Sequence, residues 1–522
     1  VKPTIPVIDL FAGPGGLGEG FTALANTQRH PFRIAVSVEK DVCAHRTLTL
    51  RAFCRQFIQT NRPVPDIYYQ YTAEEVDRTA LAEAYPNEWQ AAADEVLCAE
   101  LGKDNPEHQP LIDKKIAAAI RGHKNWLLIG GPPCQAYSLV GRSRMQNSED
   151  YRRKQGHDFE GDHRHKLYEQ YLRIIAIHRP PVFVMENVKG ILSAKLNGKK
   201  IFPRILSDLR DPFSAAAEYG WQAKNSRKYH ILSLVTGEEP MPGSEIDYLI
   251  RCEDYGIPQA RHRVILLGVR DDIFRKYGHR IKPLEVRNRV TLKEVIGNLP
   301  HLRSRFSKGL DSPERWNAYF CRLRRSAWVR NLEPAVAKEV AIALNALTSG
   351  DSLPVAYQDA GCFGLSLYDG WYSDNRMIRL PNHETRSHMD TDLDRYLFVS
   401  AFGAAKKRSP HLKDFPKELL PNHKNVASSN AEQKFSDRFK VQLWDTPAST
   451  ITSHISKDGH YFIHPDPSQC RSLTVREAAR IQTFPDNYYF EGGRTQQYHQ
   501  VGNAVPPYLA KQLAEVVYGI IA

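Results

Sequence analysis

Sulfur is scarce in this chain of 522 residues, which holds eight cysteines and five methionines. The cysteines stand at positions 43, 54, 98, 134, 252, 321, 362 and 470, and no two form a C-x-x-C pair. That spacing supports neither a zinc site nor a disulfide framework, and it fits a reducing compartment. Long apolar runs are also missing, so no segment is expected to cross a membrane. The opening V-K-P-T-I-P-V-I-D-L enters a strand at once, without the charge-then-apolar order of a secretory signal. A cytoplasmic location is therefore expected. No internal repeat or low-complexity tract is found. Acidic residues are in deficit, 59 against 71 Lys and Arg, for a net charge of +12. A basic balance favours a polyanionic partner. Length allows two to four domains, and 42% hydrophobic residues suit an ordinary globular protein.

Four stretches carry chemistry. In I-P-V-I-D-L-F-A-G-P-G-G-L-G-E-G-F (5–21), a short apolar strand, Ile5 to Leu10, runs into a glycine turn and then a helix. Glycines let the backbone approach a ligand, and the helix start offers unpaired N–H groups. The next strand, Ile34 to Val38, ends in Glu39, placed to grip ribose hydroxyls. A tight βα turn with a solvated glutamate is the plain alternative. Residues 43–125 are polar and helical in pattern and show no chemistry; Asp66 is a further candidate cofactor contact, but reads more plainly as a loop position.

The second stretch is W-L-L-I-G-G-P-P-C-Q-A-Y-S-L-V-G-R-S-R (126–144). Trp126 to Ile129 reads as a buried strand, ended by Gly130, Gly131, Pro132 and Pro133. Cys134 follows on a stiffened backbone, where ligands bind in open α/β sheets. Taken alone it reads as a buried thiol after a strand, and only the other stretches overturn that. Residues 141–165 look like a charged loop. His157, Asp158, Asp162, His163 and His165 cluster there, but their spacing matches no ligand motif, so no metal is expected. A helix follows from Leu167 to Ile177.

In P-P-V-F-V-M-E-N-V (180–188), Val182 to Met185 forms an apolar strand with Glu186 at its end. A carboxylate so placed suits a proton donor near neutral pH, or else a structural ion pair. In Q-A-R-H-R-V-I-L-L-G-V (259–269), period-two alternation puts Arg261 and Arg263 on one face of a strand. They can grip a base oxygen, a phosphate or Glu186, or lie on the surface.

From about residue 271 the pattern changes. Residues 301–330 interleave basic side chains with Trp316, Tyr319, Phe320 and Trp328, which suits either a nucleic-acid groove or a solvated amphipathic helix. Residues 350–470 are loop-rich. At the end, Thr474 and Glu477 make a capping box. Gly502-Asn503 is then read as a turn, and Pro506-Pro507 as the start of a helix with Leu509, Leu513, Val516 and Val517 on its apolar face.

D-L-F-A-G-P-G-G, G-P-P-C-Q-A-Y-S, E-N-V, Q-A-R-H-R, R-S-L-T-V-R-E-A-A-R-I-Q-T-F-P-D and Q-V-G-N-A-V-P-P resemble, in this order, six motifs of the cytosine-5 DNA methyltransferases of bacteria and phages. They cover the first 270 residues and the last 50. The resemblance implies an α/β fold, a Rossmann-like sheet for S-adenosylmethionine completed by the C-terminal helix, plus a smaller loop-rich target-recognition domain. The boundaries expected are 1–285 for the catalytic and cofactor-binding part, 286–470 for target recognition and 471–522 for the segment returning to the catalytic domain. It implies Cys134, Glu186, Arg261 and Arg263 as the catalytic set. Asp9, Phe11, Gly13, Gly15, Gly16, Leu17, Glu39, Pro132, Asn503 and Val505 would form the cofactor site, with S-adenosylhomocysteine as product and no metal. Ser138, Arg142, Arg144 and Thr452 would contact double-stranded DNA. The loop 135–165 would close over a flipped base. The protein is expected to be a monomer, with a cognate restriction endonuclease acting separately where one exists. The stretch between Glu39 and Cys134 is long for the family, which leaves Asp66 as a candidate for the adenine contact.

Rival readings are an RNA cytosine-5 methyltransferase, a nicotinamide dehydrogenase and an inactive DNA-binding module. The dehydrogenase leaves P-P-C-Q, E-N-V and Q-x-R-x-R unexplained. The intact Cys134, Glu186 and arginines argue against the inactive module. Labelled methyl transfer to DNA against RNA separates the first.

Overall fold

The structure, a computed structural model, describes residues 4–25, 30–102, 107–133, 166–196, 198–218, 220–221, 226–348, 353–357, 365–420, 439–457 and 459–521. Its centre is an eight-stranded sheet. The strands are β1 (Ile5–Leu10), β2 (Phe32–Glu39), β3 (Val96–Cys98), β4 (Leu127–Gly130), β5 (Val182–Val188), β6 (Tyr229–Ser233), β7 (Leu249–Arg251) and β8 (His262–Arg270). Their spatial order is β3-β2-β1-β4-β5-β8-β6, with β7 also pairing β8. β3, β2, β1, β4 and β5 are parallel, and β8 runs against β5, β6 and β7.

This topology decides where chemistry can sit. The carboxyl ends of five parallel strands and the amino end of β8 meet at one edge of the sheet. Strand order reverses between β1 and β4, which opens a crevice beyond their carboxyl ends. β1 and β4 are buried throughout, as a parallel sheet covered on both faces requires.

Side-chain alternation builds two cores on the sheet. Ile5, Val7, Leu127, Ile129, Val182, Val184, Ile265 and Leu267 face one way, onto Phe21 of the helix Gly16–Ala23 and Leu509, Leu513 and Val517 of the helix Pro507–Ile521. Ile8, Leu10, Leu128, Phe183, Met185 and Leu266 face the other, onto Tyr171, Leu172 and Ile175 of the helix Lys166–His178. The first and last helices cross closely. A Cβ on Gly20 would lie 2.3 Å from the Pro507 carbonyl oxygen and 2.4 Å from the Ala510 Cβ. The end of the chain thus completes the layer beside its beginning.

Three local expectations change. Glu186 lies inside β5 rather than at its end, because Asn187 and Val188 still pair with Val264 and Arg263. Gly502 and Asn503 close the helix Arg494–Asn503 rather than forming a turn; its polar sequence hides the helical period. Gly502 is needed for close approach, since a Cβ there would come within 2.4 Å of the Thr452 carbonyl carbon. The aromatics of 301–330 do not form a stacking surface. Trp316, Tyr319, Phe320 and Trp328 are buried with Phe398 and Phe402 in a separate core, on the apolar face of the helix Pro313–Leu323 and its neighbours. The amphipathic reading holds there.

The capping box at Thr474 and Glu477 is present, on the helix Val475–Ile481. Among the described residues, no helix is long and apolar enough to cross a membrane.

A cleft at the carboxyl edge of the sheet

A cavity of about 770 Å³ opens at the sheet edge. One end is walled by Phe11–Pro14, Gly16 and Leu17 of the glycine turn, by Glu39 at the end of β2, and by Ala99–Leu101 after β3. The other end is walled by Gly131–Pro133 after β4, Glu186–Val188 of β5, Arg261 and Arg263. Thr452–His454 and residues of the helix Arg494–Asn503, with Ala504 and Val505, close the remaining side.

The turn end is built for a polar, close-fitting ligand. Glu39 Oε2 accepts from the Gly13 N–H and Oε1 from the Asp41 N–H, both at 2.8 Å. The carboxylate thereby ties the glycine turn to the end of β2 and keeps acceptor capacity at the cavity wall. Burial raises its pKa, and the backbone N–H groups work against that shift. Phe11 has φ +56°, a left-handed conformation costly for an aromatic residue, which holds it at the cavity wall. Asp9 is buried behind the turn and Gly15 lies beside Leu48 and Tyr488; neither is on the cavity wall. Burial pushes the Asp9 carboxyl up to about 8. Gly16 faces the C-terminal segment, where a Cβ would lie 2.2 Å from the Val505 carbonyl oxygen. Asn503 and Val505 reach the wall from that segment.

Asp66 lies off the cavity wall, on an exposed helix start, 2.5 Å from Arg376. Ala99, Glu100 and Leu101 line the cavity instead, in a stretch whose sequence showed no chemistry. The available signal was the short strand V-L-C followed by an acidic residue, as in β2.

At the other end, Glu186 Oε1 and Arg263 Nε form an ion pair at 2.8 Å, both largely buried. Gly131 makes room for it: a Cβ there would come within 2.8 Å of Glu186 Oε2. Asn187 Nδ2 points at the Pro132 carbonyl oxygen, 3.5 Å away, and Asn187 Oδ1 accepts from the Val188 N–H. Pro132 and Pro133, the two residues that precede Cys134 in the chain, thus lie against β5. Cys134, Ser138, Arg142 and Arg144 lie outside the described residues.

Arg261 and Arg263 do different things. Arg261 is buried and donates to the carbonyls of Ile451 at 2.7 Å, Ala504 at 2.8 Å and Gly502 at 3.3 Å. Burial, and next the Arg263 cation, push its pKa down to about 9. Gln259 Nε2 donates to the Ile481 carbonyl at 2.9 Å, and its Oε1 accepts from the Ile451 N–H at 3.1 Å. Gln259 and Arg261 therefore join three distant segments around the cavity, and Arg263 alone of the three pairs with Glu186. Thr452 reaches the wall through this junction. Among the described residues, no His, Cys, Asp and Glu group could hold a metal.

The model of the C-5 cytosine-specific DNA methylase family matches residues 75–230 and 371–519. The type II methyltransferase M.Bpa9945I of Bacillus paralicheniformis is 34% identical, over 99% of both chains. The type II methyltransferase M.AgeI of Thalassovita gelatinovora is 26% identical, over 75% of this chain and 82% of the relative. The DNA (cytosine-5-)-methyltransferase M.ApeKI of Aeropyrum pernix is 24% identical, over 76% of this chain and 81% of the relative.

Proposed function

The chain belongs to the C-5 cytosine-specific DNA methylase family and is a DNA (cytosine-5-)-methyltransferase of the restriction–modification type; on that premise we propose that its cleft transfers a methyl group from S-adenosylmethionine to a cytosine flipped out of duplex DNA, through a covalent adduct with Cys134. The observation that carries this reading is the Glu186–Arg263 pair in the same cavity as the glycine turn, with the residues leading to Cys134 against it.

The turn end suits the cofactor. Glu39 offers carboxylate oxygens to ribose hydroxyls, the 99–101 segment lies where a base would extend, and Phe11, Pro132, Asn503 and Val505 supply the wall. S-adenosylmethionine, when bound, supplies an electrophilic methyl group on a sulfonium centre.

The Cys134 thiolate adds to carbon 6 of the cytosine, which makes carbon 5 nucleophilic. Glu186 donates a proton or hydrogen bond to ring nitrogen 3 as charge develops there, held in place by Arg263. Arg263 is also proposed to hold the base oxygen. Carbon 5 would take the methyl group with S-adenosylhomocysteine as the leaving group; a base then removes the carbon-5 proton, the carbon–sulfur bond breaks to release Cys134, and ring nitrogen 3 returns its proton to Glu186. Arg261 acts as a positioning residue by joining the segments around the cavity. The base must leave the duplex, because carbon 5 and carbon 6 cannot be reached inside the stack. Ser138, Arg142, Arg144 and Thr452 are proposed to contact the DNA. The product protects a recognition site from a cognate endonuclease, in keeping with the type II names of the relatives.

The test is Cys134→Ala. It should abolish labelled methyl transfer to duplex DNA and the covalent trap with a 5-fluorocytosine duplex. Full turnover by this variant, or transfer by the unaltered protein to RNA alone, would overturn the reading.

A further inference from the structure

Three arginines from three segments converge beside the cleft. Arg305 opens a two-residue strand, Arg305–Phe306, that pairs with Ser387–His388. Its side chain lies 3.8 Å from Glu384 Oε2, and Arg494 donates to Glu384 Oε1 at 2.7 Å. Arg386 stands two residues after Glu384. It donates to the Ile455 carbonyl at 2.7 Å and stacks over the Tyr498 ring, 4.4 Å from its centroid. Tyr498 is one turn after Arg494 on the helix Arg494–Asn503.

The charges do not balance. Two guanidinium groups share the Glu384 carboxylate while the third, on Arg386, donates to a carbonyl, and the Nε atom of each is buried with no hydrogen-bond partner among the described residues. Arg305, Arg494 and Glu384 nevertheless keep about a third or more of their side-chain surface in solvent, at 36%, 31% and 43%. The cluster is therefore reachable and holds surplus positive charge. It also borders the cavity: Gln496 and His499 of the same helix line it, and Ile455 follows the lining residues Thr452–His454.

We propose that Arg305, Arg386 and Arg494 form a clamp for the DNA sugar–phosphate backbone at the recognition-side rim of the cleft. This rests on the DNA reading above and adds to it a contact surface. Guanidinium forks match phosphate oxygens in geometry as well as charge. Cation–π support from Tyr498 and the backbone bond to Ile455 hold Arg386 in place, so little ordering is required on binding. Such contacts position a duplex without reading its sequence. Glu384 pairs with Arg305 and Arg494 in the free protein and competes with phosphate for them.

The experiment measures equilibrium binding of a labelled duplex of mixed sequence to the full-length protein, between about 50 and 200 mM salt. R305Q/R494Q should bind roughly tenfold or more weakly, with the slope of log affinity against log salt reduced by about 2. E384Q, which keeps all three arginines, should bind more tightly. R275A removes an exposed arginine at the opposite edge of the sheet and should change neither quantity. A folded R305Q/R494Q protein with unaltered affinity and slope overturns the clamp while leaving the methyltransferase reading intact. Should R305Q/R494Q melt early, E384Q decides: tighter binding supports the clamp and unchanged binding overturns it. A loss confined to an RNA duplex also overturns it. Failure of the unaltered protein to bind or methylate duplex DNA overturns the DNA reading, and the clamp with it.

Discussion

Glu186 and Arg263 meet across an antiparallel strand pair at 2.8 Å, although Arg263 is registered against Val188 and Glu186 against Ile265. They are diagonal neighbours on one face of the sheet, close enough for long side chains to touch. The pair exists because β8 runs against β5, so that its first residues return to the edge where the parallel strands end. A parallel β8 would have put Arg263 at the far edge.

Gly131→Ala should disable this pair while leaving the fold in place. The added Cβ would come within 2.8 Å of Glu186 Oε2, so the carboxylate or the backbone must shift. A displacement of this size near reacting groups lowers kcat by about 100-fold. Arg263→Lys should lose a similar factor, because a point charge replaces a planar fork. Steady-state methyl transfer with a thermal melt of each variant checks both. Near-normal kcat in Gly131→Ala would refute the dependence on Glu186 placement.

Glu39→Gln should weaken cofactor binding. The amide has a single oxygen acceptor, so it cannot hold both the Gly13 and Asp41 N–H groups through oxygen and also serve a ribose. Losing a charge-assisted hydrogen bond costs about 1.5–3 kcal/mol, or roughly 10- to 100-fold in affinity. Calorimetric titration with S-adenosylmethionine reads this directly. An unchanged Kd would remove Glu39 from the cofactor site.

Three buried histidines should pull stability down as pH drops below about 6.5, against the opposite slope of the Asp9 carboxyl, which burial raises to about 8. Burial lowers the pKa of His383 to about 4, and it holds His388 and His464 well below the usual imidazole range. In the unfolded chain these groups titrate near about 6.5, so between the two values the unfolded state binds more protons and gains population as pH falls. Each histidine contributes at most about 1.4 kcal/mol per pH unit over that window. Hydrogen bonds from His383 to the Pro300 carbonyl, and from the Thr474 hydroxyl to His383, satisfy the neutral ring. Chemical denaturation across this range should show the slope, and His383→Gln should reduce it by one proton. Equal slopes in both proteins would discount His383.

Much of the site was legible before any tertiary contact was known. β1 and its glycine turn, Glu39 at the end of β2, the G-G-P-P break after β4 and the capping box at Thr474 are all local events. Backbone preferences of glycine and proline, short apolar runs and side-chain caps decide them within a few residues. The order of six motifs then identified the reaction class.

What remained was set by contacts between residues distant in the chain. Whether Trp316 and Phe320 face solvent or core depends on the helices packed against them, which residue pattern alone leaves open. Gly502 looked like a turn because its reason for being glycine, the passage of Thr452, lies some fifty positions earlier. Arg261 and Arg263 share a motif but not a task, since one is surrounded by carbonyls of Ile451, Gly502 and Ala504 and the other by Glu186. The wall at 99–101 appeared only once β3 was seated beside β2. The sequence by itself determined which chemical groups are present and the turns that present them. Only the tertiary structure decided which of them face one another, because strand direction and helix docking are properties of the whole sheet.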